Sequence, residues 1–213
     1  MSTRWTQTDL DQMEKTARAK FVNSLSGAKS ANLIGTVDKS GQSNLSIVSS
    51  CVHLGADPAL MAMIMRPRAV ARHTMDNIVE TKVWTVNHVH ASIVKAAHQT
   101  SARYPKDVSE FRAVGLTEDF RPDFLAPYVK EAKVKLGLSL VRVIHLPEND
   151  TEMVIGQIQE VYFDKSHLLE DGTLSMARTG TVAVTGLDHY HNLESLMRLS
   201  YAKPDLDLAE LEV

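Results

Sequence analysis

Apolar positions change period several times along the chain. Between residues 8 and 26, Leu10, Met13, Ala17, Phe21 and Leu25 recur at three- and four-residue spacing, and Gly27 follows where a helix commonly ends. The spacing predicts one amphipathic helix. Residues 31–37 and 43–53 are β-prone and flank the turn chemistry of Lys39-Ser40-Gly41-Gln42, which predicts a hairpin. Gly55-Ala56-Asp57-Pro58 breaks the chain before residues 59–65, an almost continuous apolar run of the kind carried by a strand covered on both faces. A short helix is predicted over 74–80 with Thr74 as its N-cap, then a strand over 82–89. Helices follow over 91–99 and 106–114, the second opened by Pro105 and stopped by Gly115. Pro122 and Pro127 mark 117–128 as loop. Residues 134–146 and 152–163 read as a second hairpin around Pro147-Glu148-Asn149-Asp150, and 181–186 as a further strand. The acidic tail 205–213 is expected to fray.

Six or seven closely spaced strands, interrupted by small helices rather than alternating with them, exclude a doubly wound parallel sheet. They predict a mainly β, antiparallel barrel with helical insertions. At 213 residues the chain is expected to form one domain over 1–213, large enough to fold without a metal or disulfide staple. Its single cysteine, Cys51, excludes an intrachain disulfide. A net charge of −3 with no basic stripe makes nucleic acid a poor partner. The N-terminus lacks a basic patch followed by an apolar run, and no stretch approaches the ~20 apolar residues of a membrane helix, so a cytoplasmic location away from membranes is expected.

The usual catalytic signatures are absent: no G-x-G-x-x-G, P-loop, G-x-S-x-G or H-E-x-x-H occurs. Two polar groupings remain. Along 43–53, Leu45 and Ile47 point one way and Asn44, Ser46 and Ser50 the other, a pattern that fits a solvent-facing edge as well as a face offering donors and acceptors to a polar ring or phosphate. Arg66-Pro67-Arg68 and Arg72-His73-Thr74 gather cations and a hydroxyl at a strand end and a helix start, where free N–H groups favour an anion; a solvated loop of surface arginines would read the same. Nine histidines are conspicuous. The pairs His88/His90 and His189/His191 have the two-residue spacing that can ligate a metal, but no carboxylate completes a set, so no metal site is assigned. His98 lies at a predicted helix end, Cys51 reads as a small buried hydrophobe, and Met61, Met63 and Met65 as core.

Taken in order, these pieces resemble the flavin reductase-like family of FMN-binding split barrels. The resemblance rests on Asn44-Leu45-Ser46-Ile47-Val48-Ser49-Ser50, Ala56-Asp57-Pro58, Arg66, His73-Thr74-Met75-Asp76-Asn77-Ile78 and Trp84-Thr85-Val86-Asn87. It continues through His98-Gln99-Thr100-Ser101, Ser109-Glu110-Phe111, Ile155-Gly156-Gln157 and Gly186-Leu187-Asp188-His189-Tyr190. It implies a homodimeric antiparallel split β-barrel binding FMN, with NADH or NADPH as co-substrate and an oxygenase or another electron acceptor as partner. A non-catalytic FMN-binding or electron-transfer module is the alternative. Carried over by position, Asn44, Ser46, Ser49, Ser50 and Cys51 would lie along the flavin ring and ribityl chain. Arg66, His73 and Thr74 would hold the phosphate, while Asn87, His98, Thr100, Ser101 and Tyr190 would close the pocket. No residue is assigned a catalytic role, because the resemblance leaves the chemistry to the flavin. Ala59 stands where the family has a second proline, Gly137 where an acid is common, and His73 where Asp is more frequent.

Overall fold

A computed structural model describes residues 2–68 and 72–211. The N-terminal segment forms two helices, α1 (Gln7–Gln12) and α2 (Lys15–Leu25), rather than one. The reason is a pair of caps inside the predicted span. Thr6 and Asp9 close a capping box on α1, and the Glu14 carboxylate accepts the N–H groups of Thr16 and Ala17 to start α2. Neither helix contains a buried residue.

Strands β1 (Lys29–Ser30), β2 (Asn32–Val37), β3 (Ser43–Val48), β4 (Val52–Ala56) and β5 (Ala59–Met65) precede helix α3 (His73–Thr81) and strand β6 (Val83–His88). A 3-10 turn (Ala91–Ile93) leads into α4 (Val94–Gln99), followed by α5 (Glu110–Val114), strands β7 (Glu118–Arg121) and β8 (Phe124–Val129), and the long strands β9 (Lys135–Leu146) and β10 (Thr151–Tyr162). The chain closes with α6 (Met176–Thr179), β11 (Val182–Thr185), β12 (His189–Asn192), β13 (Arg198–Leu199) and β14 (Glu210–Leu211). Seven strands form one sheet in the order β3-β2-β6-β9-β10-β5-β4, every neighbouring pair antiparallel. Its outermost strands β3 and β4 do not pair, so the barrel is split.

Several predicted boundaries move. The strand expected over 43–53 is two strands at opposite ends of the sheet, because the chain bends at Ser49-Ser50-Cys51. The presumed loop 117–128 is the β7–β8 hairpin: Pro122 sits in its turn, and Pro127, which has no N–H to donate, still offers its carbonyl to Thr85 Oγ1 at 2.7 Å. The helix expected from 106 begins only at Glu110. The described part of the tail is exposed yet ordered, since β14 pairs with β13; residues 212–213 lie outside the described residues. Other expectations hold. The β2–β3 turn is closed by Asp38, whose Oδ1 accepts from Ser40 N at 2.9 Å and Gln42 N at 3.0 Å. The β9–β10 hairpin spans twelve residues on each side.

Two apolar clusters position the rest. One fills the barrel with Ile34, Met63, Met65, Met75, Ile78, Trp84, Val86, Leu138 and Val154. A β-carbon on Gly156 would lie 2.3 Å from the Trp84 ring, so only glycine admits the indole there. The other joins β2 and β3, through Leu33 and Leu45, to Ala97 of α4, Phe111 of α5 and Val182 and Val184 of β11. Gly137 also has a packing reason: a β-carbon there would collide with the Tyr128 hydroxyl, which donates to Glu160. Glu160 is the direct cross-strand partner of Gly137, so β10 carries an acid beside the position where β9 lacks one.

Candidate functional site

Side-chain alternation on β3 sends Leu45 into the core and turns Asn44 and Ser46 toward the first turn of α3. There Thr74 receives a hydrogen bond from Asn44 Nδ2 at 2.8 Å, and its hydroxyl lies 2.8 Å from Ser46 Oγ. Beneath them Thr36 Oγ1 accepts from Asn77 Nδ2 at 3.1 Å. The expected N-cap shifts by two residues: Arg72 holds that place, without a side-chain cap bond, and Thr74 lies inside the first turn. The leading N–H groups of α3 thus meet a cluster of hydroxyl and amide groups, the donor chemistry that suits an anion.

Charge at this end of α3 is positive. Arg72 is half-buried and donates through Nε to Pro67 O at 3.3 Å. Burial, together with the like charges of Arg66 and Arg103, lowers its pKa from the usual guanidinium value. Arg68 faces away, held by Glu152 at 2.7 Å and by Asp76 at 3.4 Å, so it is already neutralised. Opposite His73, the buried Glu110 accepts the Leu45 N–H at 2.9 Å. Burial raises the Glu110 carboxyl pKa; the hydrogen bonds from the Leu45 and Glu110 backbone N–H groups and the facing His73 oppose that rise.

A second grouping lies where α4 meets β12. Tyr190 OH is 2.9 Å from His98 Nδ1, and the two rings meet edge to face with centroids 5.8 Å apart. Tyr190 also packs against the cluster around Ala97 and Phe111, while His98 is exposed. Ser101 is exposed in the turn after α4, and Ser49 is half-buried in the bend after β3.

Three expected pocket residues are committed elsewhere. Asn87 is wholly buried: Nδ2 donates to Leu33 O at 3.1 Å and Thr85 Oγ1 at 2.9 Å, and Oδ1 accepts from Val129 N at 2.9 Å. It binds β6 to β2 and β8 rather than closing a pocket. Thr100 is buried and donates to Ala97 O at 2.7 Å, finishing α4. Ser50 donates to Ile64 O at 2.8 Å and accepts from Ile64 N at 3.3 Å, fastening the bend to β5. Cys51 is half-buried and packs against the apolar cluster that fills the barrel, and burial pushes its thiol up to about 12, so it is no thiolate nucleophile at neutral pH.

One member of each histidine pair is likewise engaged. His90 Nε2 lies 2.9 Å from Glu131 O and its Nδ1 accepts from Ser92 Oγ at 3.1 Å, while His191 Nε2 lies 2.9 Å from Thr185 Oγ1. Arg103 is the member of the charged group that the sequence did not single out. Its charge is felt at Arg72, before α3 and some thirty residues back, so no local pattern marks it.

Comparison with known proteins adds to this geometry. A family model described as the flavin reductase like domain matches residues 26–184. The chain is similar to the crystal structure of a candidate flavin reductase with a split barrel domain from Shewanella frigidimarina NCIMB 400, at 51% identity over 94% of this chain and 100% of that one, with a TM-score of 0.91. Nitrilotriacetate monooxygenase component B from Bacillus cereus shares the fold at 22% identity, covering 93% of this chain and 100% of that one, with a TM-score of 0.82. An FMN-binding protein from Thermus thermophilus shares it at 16% identity, covering 78% and 86%, with a TM-score of 0.66.

Proposed function

Because this chain belongs to the flavin reductase like family, whose members are flavin-related oxidoreductases, we propose that it binds FMN and passes hydride from NADH or NADPH to an acceptor. The observation that carries the reading is the meeting of Asn44, Ser46 and Thr74 at the uncapped head of α3, beside Arg66 and Arg72. A phosphate monoester is a dianion with strong acceptor oxygens, and guanidinium, hydroxyl and helix N–H donors are the groups that fit it.

In this reading Arg66, Arg72, His73 and Thr74 hold the phosphate. Asn44 and Ser46 fix the Thr74 hydroxyl and face the ribityl chain, and Ser49 extends that wall along the ring. His98 and Tyr190, already paired, close the far side, with Ser101 beside them. When bound, FMN supplies the redox chemistry, accepting hydride from the nicotinamide. The residues of this chain bind and orient it and hold no essential acid or base. Glu110, facing His73, holds β3 in place through the Leu45 N–H.

We also read the protein as a homodimer. Large apolar residues are exposed along the C-terminal arm, with Leu196 89% and Tyr201 87% exposed, and a partner subunit that covers them accounts for an arm of this composition. An oxygenase component is the acceptor suggested by the Bacillus cereus neighbour. No helix among the described residues is long and apolar enough to cross a membrane.

The test is a titration of the protein with FMN and with riboflavin, followed by steady-state oxidation of NADH and NADPH. Saturable FMN binding at least tenfold tighter than riboflavin, with turnover of either nucleotide, is expected. Tight FMN binding without turnover would mark an electron-transfer module, and equal affinity for riboflavin would overturn the phosphate assignment.

A further inference from the structure

Strand β3 ends its sheet: it pairs with β2 along one edge, and among the described residues no strand pairs with the other. Helix α5 takes that place. Leu45 N donates to Glu110 Oε2 at 2.9 Å, and two residues earlier Ser43 Oγ lies 2.7 Å from Ser109 Oγ. Ser43 also donates to Glu118 at the start of β7, and Ser109 lies 3.3 Å from the same carboxylate oxygen. Ser43, Ser109 and Glu110 are all buried. Ser109 stands at the N-cap of α5 yet makes no cap bond with its side chain, because its hydroxyl is turned to β3 instead. The Leu45 side chain joins the same apolar cluster as Phe111, next to Glu110, so α5 holds both the backbone and the side chain of this one residue.

Burying a carboxyl group is costly, and neutral groups would cover a strand edge at less cost. What sets Leu45 apart is its neighbours. Asn44 and Ser46 flank it on the opposite face of β3, and both reach Thr74 Oγ1 in the first turn of α3, at 2.8 Å each. A strand paired along one edge is less constrained than an interior one, and a slip of one residue would reverse the faces of all its side chains. A carboxylate oxygen is a strong acceptor for a backbone N–H. Glu110 therefore pins the residue that lies between the two that fix the Thr74 hydroxyl.

We propose that Glu110 is a positioning residue for the phosphate end of the site. It acts through Leu45, and so through Asn44 and Ser46, to keep the Thr74 hydroxyl where a phosphate oxygen meets it. This rests on the FMN reading above. The role is one of place rather than of charge, since what β3 needs is an acceptor standing at the Leu45 N–H. Withdrawing that acceptor should then matter more than neutralising it.

The experiment uses the full chain and two variants with opposite expectations. Glu110→Gln keeps an oxygen acceptor at the same reach and removes the charge, whereas Glu110→Asp keeps the charge and draws the acceptor back by one methylene. Fluorescence titration of the flavin-free proteins measures FMN and riboflavin affinity, and amide hydrogen exchange followed by NMR measures protection at Leu45. Glu110→Gln is expected to keep the preference for FMN over riboflavin within about twofold of wild type, with the Leu45 amide still protected. Glu110→Asp should lower that preference by roughly fivefold or more, because small misplacements of a binding group are costly. Riboflavin affinity should change by less than about twofold, and the Leu45 amide should exchange roughly tenfold faster. Should Glu110→Asp not fold, Ser109→Ala loosens the same edge and should show the same split between FMN and riboflavin in milder form. The reverse order, Asp keeping the preference and Gln losing it, would make Glu110 an electrostatic partner of the site and overturn the proposal. A lower Tm with the preference unchanged in every variant would overturn it too, since the fastening would then serve the fold alone. Equal affinity of the wild type for FMN and riboflavin would overturn the FMN reading and this role with it, a result distinct from a wild-type preference that the variants retain.

Discussion

Asn44 donates to the Thr74 hydroxyl at 2.8 Å, tying an edge strand of the barrel to the first turn of the helix whose head faces the arginines. Both residues are buried, so neither finds water if the other is removed. Thr74→Val keeps the shape of the side chain and deletes the hydroxyl. Unfolding stability should fall by roughly 1–3 kcal/mol, because the Asn44 amide and the Ser46 hydroxyl lose their shared partner. FMN affinity, followed by flavin fluorescence quenching, should weaken by about tenfold, or ~1.4 kcal/mol. An unchanged affinity in a folded variant would remove Thr74 from the phosphate site.

His88 gives the fold an acid-side weakness. Burial lowers its pKa from 6.5 to about 4, so the unfolded chain takes up a proton at this residue before the folded one does. Stability is therefore complete above pH 6.5 and declines as pH falls from 6.5 toward 4, by about 3 kcal/mol at most for this one group. In His88→Gln the decline over that window, read from urea midpoints at successive pH values, should become shallower. An identical profile in the variant would assign the acid sensitivity to other groups.

The Cys51 thiol, raised to about 12 by burial, should resist alkylation. Iodoacetamide at pH 8 is expected to label the native protein at least tenfold more slowly than the urea-unfolded chain, where the thiol returns to about 8.5. Mass spectrometry of timed samples measures the two rates. Rapid labelling of native protein would show that the Ser49–Cys51 bend opens readily.

Gly156→Ala tests the interlock with Trp84. The added methyl must displace the indole or the strand, since its position lies 2.3 Å from the ring. Overpacking of this kind costs about 1–3 kcal/mol. Thermal denaturation should show a clear fall in Tm, with a changed Trp84 fluorescence maximum. A variant as stable as wild type would mean that β10 can shift at its bulge between Ile155 and Gly156.

The parts legible from sequence were those governed by neighbours in the chain. Lys39-Ser40-Gly41-Gln42 announces the β2–β3 turn because the turn is made of those residues, though Asp38, which closes it, was not marked, and the alternation on β3 places Asn44 and Ser46 on one face because strand geometry requires it. The family resemblance supplied the cofactor class. Pro127 misled because proline disfavours a paired strand, yet its carbonyl is the atom that β6 uses. Asn87 and Thr100 were given to the pocket by the family resemblance alone, which matches positions and not partners, whereas Leu33, Thr85, Val129 and Ala97, brought in by the fold, had already engaged them. Arg103 and Glu110 take their charged neighbours from other segments, and no spacing rule reaches that far.

The Ser49–Cys51 bend has a consequence for the barrel's dimensions. Val48 and Val52, the adjoining ends of β3 and β4, belong to the two free rims of the sheet, yet four Cα steps join them, a reach of at most about 14 Å. Ser50, fastened to Ile64, takes up slack even within that span. The gap in the cylinder is thus fixed by chain length at one joint, as a clasp fixes the girth of a bracelet. Extra residues in the 147–150 turn would merely lengthen a hairpin, whereas one extra residue between Val48 and Val52 would loosen the whole circumference on the side where Asn44 and Ser46 face α3.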